Sequence, residues 1–385
     1  MFDNNSEEPQ KLRHRAPRCP RLALHIPLIL VSAILLVPAA TVAEPGHNRA
    51  STDDSSPSGL AVVIENKPQQ DRLDLRALNS PFISGVALQI RWRDIEPVPG
   101  RPDWSKLDQL FATAESSKKW VQLLIFAGFF TPEWALDGAK TELFPLQYGP
   151  GKGTVERLPM PWDGAYLTHW FAFLKQLSER YGKSPAFRIV AADGPTSVSA
   201  EFTLPSSPED VEKWRKLSYT PRRYIETWQN VLQVYAADFP DQYVSLSLGF
   251  GLNINDEGKL DGREHMRTKL AIIDLGLSRL ERRFVLQYSN LDGNPGPDRG
   301  PQGTALVIGY SGRIVTGFQL RTSCIRNSGN MGAEGDPALA LKRSINKGMN
   351  PNIAGKHVNY LEIYEPDVLP DEMQPVLRYG ASLFK

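Results

Sequence analysis

From residue 59 onward, eight short apolar or alternating runs recur along the chain, at 59–65, 84–91, 120–127, 186–192, 243–249, 284–289, 314–320 and 357–363. Between most of them lies a stretch with an apolar stripe at helical spacing. Leu167, Trp170, Phe171, Leu174, Leu177 and Tyr181 form one such face. Tyr224, Trp228, Val231, Leu232 and Tyr235 form another, and Met266, Leu270, Ile273, Leu277 and Leu280 a third. Ser207-Pro208, Thr220-Pro221 and Asp336-Pro337 each place a capping residue before a proline suited to the first helical turn. Eight strand–helix units in about 325 residues are expected of an α/β fold, a (β/α)8 TIM barrel with loop insertions. A doubly wound sheet would want a glycine-rich phosphate loop after its first strand, and GLAVVIENKPQQ has none. The connection 66–83 and the run 305–309, which also reads as a ninth strand, fit the barrel scheme least well.

The N-terminus has a different character. Lys11, Arg13, Arg15, Arg18 and Arg21 precede an apolar run from Leu22 to Val37, and Pro38 to Ala43 supplies small residues for a peptidase. Residues 1–43 are expected to be an export signal cleaved after Ala43, which puts the remainder in the periplasm or outside the cell. The other reading is an uncleaved anchor, because Leu22 to Ala40 is just long enough to cross a bilayer; only then would the protein contact a membrane. Residues 44–58, EPGHNRASTDDSSPS, are expected to be a disordered linker, and 59–385 a single domain.

Charge and cysteine usage exclude several classes. The 44 basic and 43 acidic residues nearly balance, and loss of the leader makes the balance slightly negative. That is no footprint for nucleic acid. Cys324 is the single cysteine beyond the leader, so no disulfide within the domain is expected. His47, His169, His265 and His357 are scattered, without the spacing of a zinc site. Gly309-Tyr-Ser-Gly is not a nucleophile elbow, and neither a Walker nor a dinucleotide fingerprint occurs. No metal and no cofactor are expected.

One βα unit is especially clear. In GVALQIRWRDIEPVPGRPDWSKLD, residues 85–108, Val86, Leu88 and Ile90 alternate with Ala87, Gln89 and Arg91. Glu96-Pro-Val-Pro-Gly100 then stops both strand and helix. Asp103 has the character of an N-cap for the stripe Leu107, Leu110, Phe111 and Ala114. Polar and aromatic residues thus collect at the carboxyl end of a strand, where barrels keep their chemistry. Trp92, Ile95, Glu96, Pro97, Gly100, Trp104, Leu107 and Asp108 match the pattern after the second strand of clan A retaining glycoside hydrolases, the family 42 β-galactosidases and family 5-like barrels. The resemblance is clear over 84–135, looser through 160–205 and weak beyond. It implies a TIM barrel that hydrolyses O-glycosidic bonds of an extracellular oligo- or polysaccharide with two carboxylates, by retention.

Two glutamates stand out by position. Glu201 follows the fourth run, and Glu362 lies inside the eighth, between Tyr360-Leu361 and Ile363-Tyr364. A retaining pair needs one carboxyl protonated as acid and one ionised as nucleophile, about 5–5.5 Å apart. The resemblance implies Glu201 as acid/base, its pKa raised by apolar surroundings and a nearby negative nucleophile, and Glu362 as nucleophile or charge stabiliser. The match is imperfect, because the family places Asn before the acid and the nucleophile on strand seven. Here Ala200 precedes Glu201, and run seven ends Gly317-Phe-Gln319. That departure motivates the alternative of a catalytically inactive barrel that binds carbohydrate. Trp92, Arg93, Gln287, Tyr288, Asn290, Gln319 and Tyr364, at expected strand ends, are candidate substrate contacts. Trp134 joins them from the long loop 128–163, whose aromatic residues could stack on sugar rings or form a small core of their own. Glu96 is expected to fix its loop.

Overall fold

The computed structural model describes residues 56–148, 151–296, 303–349 and 356–384. The proposed export segment, and the linker as far as residue 55, lie outside them. Among the described residues no helix is long and apolar enough to cross a membrane.

The described residues form ten strands: β1 Gly59–Glu65, β2 Ile83–Arg91, β3 Trp120–Phe126, β4 Thr141–Pro145, β5 Val155–Pro159, β6 Phe187–Ala191, β7 Tyr243–Ser247, β8 Phe284–Leu291, β9 Val315–Leu320 and β10 Tyr360–Tyr364. Eight of them close a barrel in the order β1-β2-β3-β6-β7-β8-β9-β10, with β10 back on β1 and every pairing parallel. The fold is thus the expected (β/α)8 TIM barrel. The eight barrel strands coincide with the eight sequence runs to within a few residues. The run 305–309 is not a strand; it lies in the helix Gly303–Tyr310. Parallel neighbours β8 and β9 require a crossover between them, and this apolar run supplies it. Periodicity alone does not separate so short an apolar run from a buried strand.

Helix starts follow the capping chemistry. Ser207 and Asp210 form a reciprocal capping box, and the Thr220 hydroxyl accepts from the backbone of Arg223. Asp103 acts one residue early: its carboxylate accepts from Ser105 N at 3.0 Å, at the start of the helix Ser105–Ser116.

Side chains alternate across the barrel wall. At the amino-terminal end the lumen is closed by Trp120, Ile189, Tyr243, Val285, Val315 and Tyr360, with Trp120 edge-on to Tyr360 at 5.5 Å. These rings need empty space on the adjacent strands. A Cβ on Gly317 would lie 2.1 Å from the Tyr360 ring, and one on Gly85 2.2 Å from Trp120. We expect Gly317→Ala to cost roughly 1–3 kcal/mol through overpacking. A urea titration checks this, and an unchanged midpoint would contradict it.

The loop 128–163 is partly a β-hairpin, β4–β5, with a core of its own. Phe144 stacks on Trp214 at 4.7 Å, and Trp162 packs on Trp214 and Tyr219. Both rings serve packing and are not free to form a wall for sugars.

Candidate active site

The fourth barrel strand is short. After Ala191, paired with Ser245, the chain leaves the sheet at Asp193 and returns at Glu201, which bridges in parallel to Ser247 on β7. The excursion therefore restores Glu201 to the carboxyl end of strand four, although it is ten residues beyond Ala191. The excursion is largely buried, so its backbone groups need partners. Aromatic side chains supply them. Trp170 donates to Asp193 O at 3.1 Å, Tyr166 to Gly194 O at 2.6 Å and Tyr224 to Pro195 O at 2.9 Å; the Tyr235 hydroxyl accepts from Asp193 N at 3.1 Å. Gly194, at φ 121°, passes so close to Trp170 that a Cβ would meet its indole nitrogen at 2.8 Å. The helical stripes seen in the sequence thus hold Glu201 indirectly. Asp193 is itself fully buried; burial pushes it up to about 7, opposed by hydrogen bonds from Thr196 and Gly194.

Glu201 is half-buried, next to the buried Ala200 and Phe202. Its Oε1 accepts from Asn290 Nδ2 at 3.3 Å. Burial pushes the carboxyl up to about 7, and the Lys269 ammonium pulls it back down. Lys269 itself, 1% exposed on the helix Glu264–Leu280, lies over the Phe250 ring at 4.7 Å. Its own burial brings it down to about 8, against the attraction of Glu201. The shift of Glu201 therefore comes from burial, as expected in part, with a cation and not a second carboxylate as the named neighbour.

Glu362 lies in the lumen, paired with Ala61 on β1 and Gln319 on β9. It is wholly buried. Gln287 Nε2 donates to its Oε2 at 3.0 Å, and among the described residues its Oε1 has no hydrogen-bond partner. Burial pushes it up to about 8, and the Gln287 bond opposes that. The Gln287 amide cannot turn over freely. Its Oε1 accepts from Tyr360 Oη at 2.7 Å and from Gln122 Nε2 at 2.8 Å, which leaves its Nε2 aimed at Glu362. Nearer the mouth, Gln89 donates to Gln319 at 3.2 Å, and Gln319 donates to Tyr364 Oη at 2.9 Å. Ser247 and Ser289 share a bond of 2.7 Å.

The expected site residues therefore separate into groups. Gln287, Gln319, Tyr364 and Asn290 join the two glutamates in this polar lining. Tyr288 does not: it points outward and packs beneath the helix Gly303–Tyr310, where a Cβ on Gly303 would meet its ring. Trp92 is also buried outside the lumen. It contacts Trp134, Trp170 and Phe173 at 5.1–5.8 Å, and its indole donates to Glu96 Oε2 at 3.0 Å. Trp134 donates to Glu96 O at 2.9 Å and packs on His169. These two residues lie with Glu96, away from the two glutamates, and Trp134 and Glu96 line an outer cavity of about 440 Å³. Strand alternation is the reason for Tyr288, and the return of the loop onto the helix Gly164–Tyr181 the reason for both tryptophans. Glu96 fixes its loop as expected, accepting also from Gly100 N at 2.9 Å. We expect Trp92→Ala to cost about 3–5 kcal/mol in a denaturant titration, through the cavity it leaves and the orphaned Glu96. Arg93 is at the rim, over Phe130 at 5.2 Å.

Gln89, Gln122, Tyr360, Lys269 and Arg91 were not evident as site residues. For Gln122 a signal exists: a lone amide inside WVQLLIF, on the same face as Trp120 and Leu124. Lys269 carries none, being one lysine on an amphipathic helix.

No protein-family model matches the sequence, and no curated protein does. Among solved structures it is similar to a β-galactosidase from the psychrophilic Marinomonas ef1, at 13% identity and TM-score 0.47, over 84% of this chain and 59% of that one. It is also similar to a β-galactosidase from the Antarctic haloarchaeon Halorubrum lacusprofundi, at 11% identity and TM-score 0.49, over 85% of this chain and 58% of the other. The chain spans less than two thirds of the length of either of these proteins.

Proposed function

We propose that the protein hydrolyses O-glycosidic bonds of an exported or extracellular glycan, with Glu201 and Glu362 as the working carboxyls. One observation carries this reading. Glu201, at the carboxyl end of strand four, and Glu362, inside the barrel, are both desolvated carboxyls that accept from a side-chain amide. Desolvated carboxyls without an ion-paired arginine cost stability, and such groups gather where chemistry is done. Glu201, half-buried at the strand-four end and held near 7, suits the acid/base role: it can protonate a leaving oxygen and then take a proton from water. Glu362 is the nucleophile, or stabilises the cationic transition state. Gln287 favours its ionised form by donating to it, and Asn290 orients Glu201. Gln319 and Tyr364 are placed to meet sugar hydroxyls.

The pH profile follows from the signs. Glu201 must carry its proton, so activity falls as pH rises through about 7. Glu362 must lose its proton, so activity rises as pH rises through about 8. kcat/KM should form a narrow bell between pH 7 and 8, carried by a minority of molecules. A broad optimum at pH 5 would contradict this assignment. The first test is hydrolysis of a panel of chromogenic glycosides and polysaccharides, with Glu362→Gln as control.

The complete burial of Glu362 favours one second reading, a barrel that binds glycan without cleaving it. Sugar binding in calorimetry together with no turnover on the whole panel would select it.

A further inference from the structure

We propose that the mouth of the barrel takes an anionic glycan, one bearing a carboxylate or a sulfate, with Arg91 as the group that pairs with it. This deepens the carbohydrate reading above and rests on it for the class of ligand.

Arg91 ends β2 on the lumen side. The inward row of that strand is Gly85, Ala87, Gln89 and Arg91; Gln89 bonds across the lumen to Gln319, and Arg91 is the next inward position toward the mouth. Its partner in register is Phe126, which packs on the upper lumen cluster of Val63, Ala87, Leu124 and Ala191. Arg91 is half-buried as a residue, and its guanidinium lies over the Phe130 ring at 4.6 Å. Among the described residues it makes no ion pair. Arg93 approaches the same ring at 5.2 Å, and it has a carboxylate neighbour, Glu156, at 3.8 Å, both side chains being partly exposed.

A partly desolvated guanidinium without a counter-ion is unfavourable until a ligand supplies one. An aromatic ring behind the guanidinium leaves its N–H fork free for bidentate bonds to a planar carboxylate or a sulfate. The rest of the lining does not cancel this charge. Lys269 adds a buried cation near Glu201, and burial keeps both glutamates largely protonated below pH 7. A neutral sugar needs only the amides and hydroxyls of Gln319, Asn290 and Tyr364, and it leaves Arg91 unpaired.

Calorimetric binding to the full chain at pH 6 tests this without requiring turnover. The probes are tri-galacturonate, a sulfated galactotriose and neutral galactotriose. One or both anionic probes should bind at least about tenfold tighter than the neutral one, and the tighter of the two names the anion. Arg91→Gln should erase that preference, and Arg91→Lys should keep part of it. Thermal melts of both variants guard against misfolding. Equal binding of neutral and anionic probes overturns the proposal, as does a preference that survives in a folded Arg91→Gln protein. Hydrolysis is assayed separately. Anionic binding without turnover removes the hydrolase reading alone, and turnover of neutral sugars with no anionic preference removes this proposal alone.

Discussion

Glu362→Gln is expected to give a protein that is more stable than the parent and inactive. The side chain is wholly buried, and burial raises its carboxyl from 4.5 to about 8. The folded state therefore holds the proton more tightly than the unfolded chain. Ionisation costs nothing below the unfolded value, and the cost grows as pH rises from 4.5 through 8. At about 1.4 kcal/mol per unit, the penalty is roughly 1 kcal/mol at pH 5 and about 3 kcal/mol at pH 7. Glutamine keeps the shape and still accepts from Gln287, but it cannot ionise. Thermal melts should show a gain of about 4 °C at pH 7, shrinking toward pH 5. Hydrolysis should vanish at every pH. A variant less stable than the parent at both pH values would show that the carboxyl is structural and contradict its proposed role. This opposition between stability and function is what a carboxyl kept for catalysis produces.

Glu201→Gln is expected to lower kcat on saccharide substrates by about 10²–10⁴-fold, the usual worth of a positioned acid/base. The alkaline limb of the pH profile, set by its value near 7, should disappear with it. By the same linkage as for Glu362, stability should rise at pH 7 and the gain should shrink toward pH 5, by less than for Glu362 because Glu201 is only half-buried. Azide should rescue the smaller Glu201→Ala variant on substrates with good leaving groups, because it attacks the glycosyl-enzyme without a general base, forming the glycosyl azide and releasing the Glu362 carboxylate. Undiminished turnover in a folded Glu201→Gln protein would remove Glu201 from the mechanism. Retained binding with lost turnover separates its chemistry from any role in holding substrate.

How much of the site was legible differs from residue to residue. Glu362 could be placed because a charged residue inside an apolar strand has few acceptable environments. Its height in the lumen, and the Gln287 amide locked by Tyr360 and Gln122, could not, because they depend on how three strands are set against one another. Glu201 lies ten residues past its strand, and only the bridge to Ser247 restores it to the strand-four end. Trp92 was nominated by closeness to a strand end and Trp134 as an aromatic residue of the long loop 128–163. The segment after β2 turns Trp92 outward onto Trp170, and the loop after β3 packs Trp134 on His169. Tyr288 and Gln287 are adjacent in sequence and opposite in space, which alternation predicts once the inward face is known.

Local patterning determined the barrel: eight runs with helical crossovers, helix starts marked by capping residues and proline, and a Glu96-to-Gly100 segment that stops both strand and helix. These are near-neighbour properties, set by backbone propensity and by the period of apolar residues. Tertiary structure alone decided the lining of the mouth. Which of two adjacent side chains enters the lumen, which carboxyl loses its water, and which arginine lacks a counter-ion depend on strand register and on residues more than a hundred positions apart, such as Gln122 with Gln287 and Gln89 with Gln319.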